Sequence, residues 1–233
     1  MPTVTRAPIA VALDAPDVET AARWSAAVTP YVSTVKVGLE LFCRGGPDVV
    51  QAVRGASGVE LFLDVKLHDI PATVAGAARA VARLRPRYVT VHAAGGAAMV
   101  RAAVEAAPDV LIAGVTVLTS LGAADLESIG LAGPPGDAVR RLAVLAVAAG
   151  ARALVCSPHE VAGLRAEVGP DVVLITPGVR PAGAERQDQA RVATPEQALA
   201  DGADLLVIGR PITGEADPGA AAARIAAALL GGR

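Results

Sequence analysis

A closed (β/α)8 barrel is the fold class this sequence predicts, on three observations. Eight short β-branched or apolar runs alternate with eight alanine-rich helical stretches across 233 residues, about 29 residues per unit, which suits a strand, a helix and two short loops. Charged residues recur where the apolar runs end, at the rim where such barrels keep their chemistry. An open doubly wound sheet would need a Gly-rich turn after its first strand, and that position reads LDAPD. The expectation is one domain over residues 1–233, a single TIM barrel.

In chain order, the first strand is expected at 9–13, running into Asp14, with a helix over 18–28. The second, 32–37, carries Lys36 just before Gly38 in VKVG, and a helix follows over 47–54. The third, 61–65, belongs to LFLDVKLHDIPAT, where Asp64, Lys66 and Asp69 close an otherwise apolar run and Pro71 can open the helix over 72–84. The fourth, 88–91, leads to His92 and a helix over 97–106. The fifth, 111–117, runs into Thr119 and Ser120 and then the longest irregular stretch, 118–137, before a helix over 137–149. Loops that long are more often functional than idle. The sixth, 153–156, meets Ser157 and a helix over 159–167; the seventh, 172–175, leads into TPGVRP and a helix over 195–200; the eighth, 205–208, ends in IGRP before a helix over 219–230.

Composition excludes several roles. A net charge of −2 and a pI near 5.9 give no general attraction to nucleic acid or anionic membranes. Aromatic residues at 2% are too few for stacking bases. No apolar run approaches the roughly 18 residues of a membrane span, and the N-terminal apolar run, cut by Asp14, is not expected to be a signal peptide. A cytoplasmic protein is expected. Cys43 and Cys156 lack paired spacing, so both are expected to be buried thiols, with neither a zinc site nor a disulfide.

The rim charges describe a ligand. Lys36, Lys66, Arg180 and Arg210 lie at or just past strand ends. The loops after strands seven and eight are the usual phosphate cradle of this fold, where Gly178 and Gly209 let backbone amides approach an anion and Arg210 offers a forked donor. A phosphorylated small molecule is expected. Lys36, Asp64, Lys66 and Asp69 alternate in sign, so each favours the ionised form of its neighbours. Residues two apart on a strand share a face, which brings Asp64 and Lys66 together. An ammonium beside fixed carboxylates suits a general acid, and an ionised Asp64 would repel a substrate carboxylate until CO2 leaves. The residues thus read as proton delivery to a carbanion, with decarboxylation as one version. The bland alternative is an ion-pair network around the barrel mouth, with Asp69 capping the next helix.

At these motifs the sequence resembles the orotidine 5'-phosphate decarboxylase family. FLDVKLHDIPAT is its signature in one piece, and VKVG, VHAAGG at 91–96, VTVLTS at 115–120, VCSPHE at 155–160, TPGVRP and DQARVATPEQAL follow in the expected order. The resemblance implies conversion of orotidine 5'-monophosphate to UMP and CO2 without metal or organic cofactor. Lys66 would protonate C6 of the pyrimidine, Asp64 would press on the substrate carboxylate, Lys36 would hold the carboxylates and contact the ribose, and Asp14 would bind a ribose hydroxyl. Thr119 or Ser120 would contact the base and Pro177 would line the pocket. Gln189 would bridge base and phosphate, with Arg210 and the Gly209 amide on the phosphate and Arg180 as a loop-closure or phosphate-side contact. Asp69 and Thr73 would reach into the neighbouring site of a homodimer. His92 is either a rim histidine or a participant.

Two rivals remain at this stage. A related magnesium-dependent barrel acting on a keto-sugar phosphate would carry a metal-binding glutamate where this chain has Lys36. A non-catalytic nucleotide-phosphate-binding barrel would lack the Lys66 position.

Overall fold

The structure, a computed structural model, describes residues 6–55, 58–131, 133–180 and 193–231. Its elements run β1 Ala7–Ala12, α1 Val18–Val28, β2 Val32–Gly38, α2 Leu39–Arg54, β3 Glu60–Leu67, α3 Pro71–Ala82, β4 Tyr88–His92, α4 Ala97–Ala106, β5 Leu111–Val115, α5 Ala123–Ser128, α6 Pro135–Ala148, β6 Ala153–Val155, α7 Val161–Val168, β7 Val173–Pro177, α8 Pro195–Ala200, β8 Leu205–Ile208, α9 Arg210–Thr213 and α10 Pro218–Gly231. The eight strands are parallel and form a closed ring in sequence order. Closure comes from β1 against β8, with Ile9 beside Leu206, Ala10 beside Val207 and Val11 beside Ile208.

Strand alternation sorts side chains into two apolar compartments. Ala10, Phe62, Tyr88, Ala113, Ala153, Ile175 and Leu205 form a buried cluster of their own inside the ring. Phe62 and Tyr88 meet edge to face, centroids 5.8 Å apart at 76°, a favoured aromatic geometry. The intervening residues, such as Ile9, Val11, Leu13, Leu61 and Leu63, belong to the larger layer beneath the helices. The helices answer with stripes at three- and four-residue spacing: Met99, Val100 and Ala103 on α4, and Ala138, Val139, Leu142, Ala143 and Ala146 on α6. Small residues allow close approach: a Cβ added to Gly114 on β5 would stand 2.8 Å from the Ala146 Cβ on α6.

Several expectations need correction. Helix α2 starts at Leu39, eight residues before the expected 47–54; Gly46, at φ 56°, breaks it just before Pro47. The Gly-Gly-Pro run does disrupt the helix, but by a kink, because helix resumes on the far side. Within the 118–137 stretch lies α5, where the Asp125 carboxylate accepts the Gly122 N–H at 2.8 Å. The short α9 after β8 was not expected. Cys156 is buried, and burial pushes its thiol up to about 12, whereas Cys43 is exposed on α2. Asp69 does not cap α3: the N-cap is Ile70, without a side-chain bond, and among the described residues the Asp69 carboxylate accepts the adjacent Ile70 N–H at 2.6 Å.

Candidate active site

The C-terminal ends of the strands surround a cavity of about 300 Å³ lined by Asp14, Lys36, Asp64, Lys66, Thr119, Pro177, Arg180, Gly209 and Arg210, among others. Residues far apart in sequence meet there because every parallel strand points the same way. Asp14 follows β1; Lys36 lies on β2; Asp64 and Lys66 lie on β3; Pro177 closes β7; and Arg210 opens α9, directly after Gly209.

Asp64 is the hub of the charges. Its Oδ1 accepts from Lys66 Nζ at 2.7 Å, and its Oδ2 lies 3.2 Å from Lys36 Nζ. Lys36 also approaches Asp14 Oδ1 at 3.8 Å. Burial alone would push the Asp64 carboxyl up, but the ammoniums of Lys36 and then Lys66 outweigh it and hold the carboxyl below its ordinary value. Each of the two Asp64 contacts is worth about 5–6 kcal/mol of gross Coulomb attraction at an effective dielectric constant near 20, most of it offset by desolvation of the ions. Gly38 leaves room for this group: a Cβ there would stand 2.8 Å from Asp14 Oδ1 and 3.1 Å from Lys36 Nζ.

Lys66 reaches Asp64 by a route that strand alternation does not describe. Its φ is 48°, a left-handed conformation unusual for a residue with a side chain. The β3–β4 pairing slips at the same place, between Leu63 opposite Val89 and Leu67 opposite Val91. Asp64, Val65 and Lys66 therefore stand against Thr90 alone. The Thr90 hydroxyl accepts the Lys66 backbone N–H at 2.8 Å and donates to Asp64 Oδ1 at 3.1 Å. The bulge turns the Lys66 backbone while its ammonium stays on the Asp64 side.

Around this centre, Thr119 lines the cavity, whereas Ser120 is exposed and does not. Arg180 is buried at 7% exposure, and its backbone N–H donates to the Ala193 carbonyl at 3.1 Å. Asp69 and Thr73 are both exposed and lie outside the cavity of their own chain. Gln189 and residues 183–187 fall outside the described residues. The His92 ring lies 5.4 Å from that of His68, and burial, followed by His68 and Lys66, lowers its pKa. Sequence reading missed the apolar floor: Ala12, Phe62, Val115, Val155 and Val207. Counting back two residues from the rim would have found Ala12 and Phe62, beneath Asp14 and Asp64. The same count from His92 reaches Thr90.

Comparison with known proteins gives the same picture. The description "Orotidine 5'-phosphate decarboxylase / HUMPS family" matches residues 7–225. A protein of Thermobifida fusca named orotidine 5'-phosphate decarboxylase is 76% identical over 223 residues, covering 96% of each chain. One of that name from Frankia casuarinae is 65% identical over 241 residues, covering 96% of this chain and 88% of its own. The crystal structure of orotidine 5'-phosphate decarboxylase from Lactobacillus acidophilus superposes with a TM-score of 0.83 at 34% identity, covering 96% of this chain and 99% of the other. With the match spanning every strand of the barrel, the chain belongs to the orotidine 5'-phosphate decarboxylase / HUMPS family.

Proposed function

We propose that the protein, acting as one cytoplasmic catalytic domain, converts orotidine 5'-monophosphate to UMP and CO2 in pyrimidine synthesis. The observation that carries this reading is the Asp64 carboxylate held between two ammoniums at the barrel mouth, 2.7 and 3.2 Å away. A substrate carboxylate attracted to those ammoniums meets the fixed Asp64 charge. The C6–carboxylate bond breaks, its electron pair stays on C6, and CO2 leaves. Lys66 Nζ then donates a proton to C6 and regains one from water. Charges already in place meet the developing carbanion, so little reorganisation is needed at the moment of reaction.

Anchoring falls to the rest of the rim. Asp14 and Lys36 take the ribose side, Thr119 and Pro177 the base, and Gly209, Arg210 and Arg180 the phosphate, with Ser120 and Gln189 as further contacts. Neither metal nor organic cofactor has a role: Lys36 puts a cation where the magnesium-dependent relatives need a carboxylate. Asp69 and Thr73 serve the neighbouring site in a homodimer. Their absence from the cavity of their own chain supports this, as does Ile70, exposed at 66% between them.

Loss of orotidine 5'-monophosphate absorbance, with and without EDTA, is the deciding experiment. Turnover unaffected by EDTA is expected. Activity lost on dialysis against EDTA and restored by magnesium would overturn the reading.

A further inference from the structure

We infer that Thr90 is a positioning residue for the proton donor, a role that rests on the proposed decarboxylation. Thr90 is wholly buried on β4, directly below the charged cluster. Three residues of β3 stand opposite it at the slip, so the β4 ladder has one position for three backbones. The Thr90 hydroxyl supplies the missing acceptor, taking the Lys66 N–H at 2.8 Å. Its own proton goes to Asp64 Oδ1 at 3.1 Å, and the same oxygen receives Lys66 Nζ at 2.7 Å. A closed circuit results: the Lys66 backbone, the Thr90 hydroxyl, the Asp64 carboxylate and the Lys66 ammonium.

Two consequences follow for the chemistry. A left-handed residue with a side chain persists only where its surroundings over-determine it, and for Lys66 the Thr90 bond is a principal constraint. The donor to Asp64 Oδ1 also fixes the rotation of that carboxylate, which decides where each ammonium sits. A misplacement of about 1 Å in a reacting group can cost about a hundredfold in rate. Threonine suits the task because its β-branch restricts χ1 and holds the hydroxyl in one direction.

Thr90→Val keeps the shape and removes both hydrogen bonds; Thr90→Ser keeps the hydroxyl. For the valine variant we expect kcat about 30-fold lower, equivalent to about 2 kcal/mol of transition-state stabilisation. KM for orotidine 5'-monophosphate and Kd for UMP should stay within about threefold of wild type. The serine variant should recover kcat to within about threefold. UMP-binding stoichiometry gives the folded fraction, so kcat is counted per competent site, and Thr90→Ala replaces the valine variant if that chain does not fold. A folded valine or alanine variant with kcat within threefold of wild type overturns the inference. So does a serine variant as impaired as the valine one, or a loss that falls on UMP affinity instead of kcat. Wild-type protein run alongside separates the two readings: no turnover there sinks the proposed function, whereas turnover that Thr90→Val leaves intact sinks only the role of Thr90.

Discussion

Replacing Asp64 with asparagine removes the charge shared by two lysines while leaving an oxygen for the Thr90 hydroxyl. Lys36 is nearly buried, with 9% of its side chain exposed, and Lys66 has 30% exposed. Removing one partner of a buried ion pair costs about 3–5 kcal/mol. The solvent around Lys66 and the retained oxygen bring the expected loss to about 2–3 kcal/mol, or roughly 5–10 °C in Tm for a chain of this size. The ligand response is sharper. A substrate carboxylate drawn to the same ammoniums would lie about 4 Å from Asp64, a repulsion of about 4 kcal/mol at an effective dielectric constant near 20. Screening by the two lysines leaves about half. Asp64→Asn should therefore bind orotidine 5'-monophosphate about 30-fold more tightly than wild type, while UMP, which lacks the carboxylate, changes by less than threefold. Turnover should fall at least 100-fold, the scale of a lost preorganised charge. Calorimetry of the variant with both nucleotides, set against UMP binding and substrate KM of the wild type, measures the difference. Equal shifts for the two nucleotides, or weaker binding of the carboxylated one, would refute the claim that Asp64 presses on the substrate carboxylate.

Subunit mixing tests the shared site: Lys66→Ala and Asp69→Ala homodimers should each be inactive, and after exchange activity should return to roughly a quarter of wild type, since half the dimers are mixed and half their sites are whole. A mixture that stays inactive after proven exchange assigns Asp69 to its own chain. The pH dependence of stability should report on His92, whose pKa lies below the ordinary 6.5 because of burial, His68 and Lys66. The unfolded chain takes up this proton more readily, so the stability His92 provides is complete above pH 6.5 and is lost as the pH falls below it. Thermal melts between pH 7.5 and 5 should show that fall, with a shallower slope in His92→Gln; identical slopes would remove His92 as its source.

The barrel was legible because its signal is repeated: eight apolar runs with alanine-rich helices between them leave few other ways to bury the same surface. Elements at the loops were harder to read. The first half of α2 was hidden by Gly45, Gly46 and Pro47, which locally read as an end, and α9 by its length of four residues. At the site, charges stood out against apolar runs, so Asp14, Lys36, Asp64, Lys66 and Arg210 could be named in advance. Thr90 was missed: a threonine in a strand carries no signal by composition, and only its place two residues before His92 marks it. The left-handed turn at Lys66 was equally invisible, because it is imposed by pairing with β4 and not by any local preference of lysine.

The β1–β8 seam also has a meaning for how the protein comes into being. Asp14, Lys36, Asp64 and Lys66 all belong to β1–β3 and the loop after β1, and are synthesised well before Gly209 and Arg210, which follow β8. The nascent chain thus carries this charged cluster while the proposed phosphate-side residues are still to be made. The two parts meet only when Ile9, Ala10 and Val11 pair with Leu206, Val207 and Ile208, contacts about 197 residues apart and among the most costly in loop entropy to form. Regained turnover during refolding is therefore a clock for that last seam, set apart from signals such as helix content that accumulate earlier.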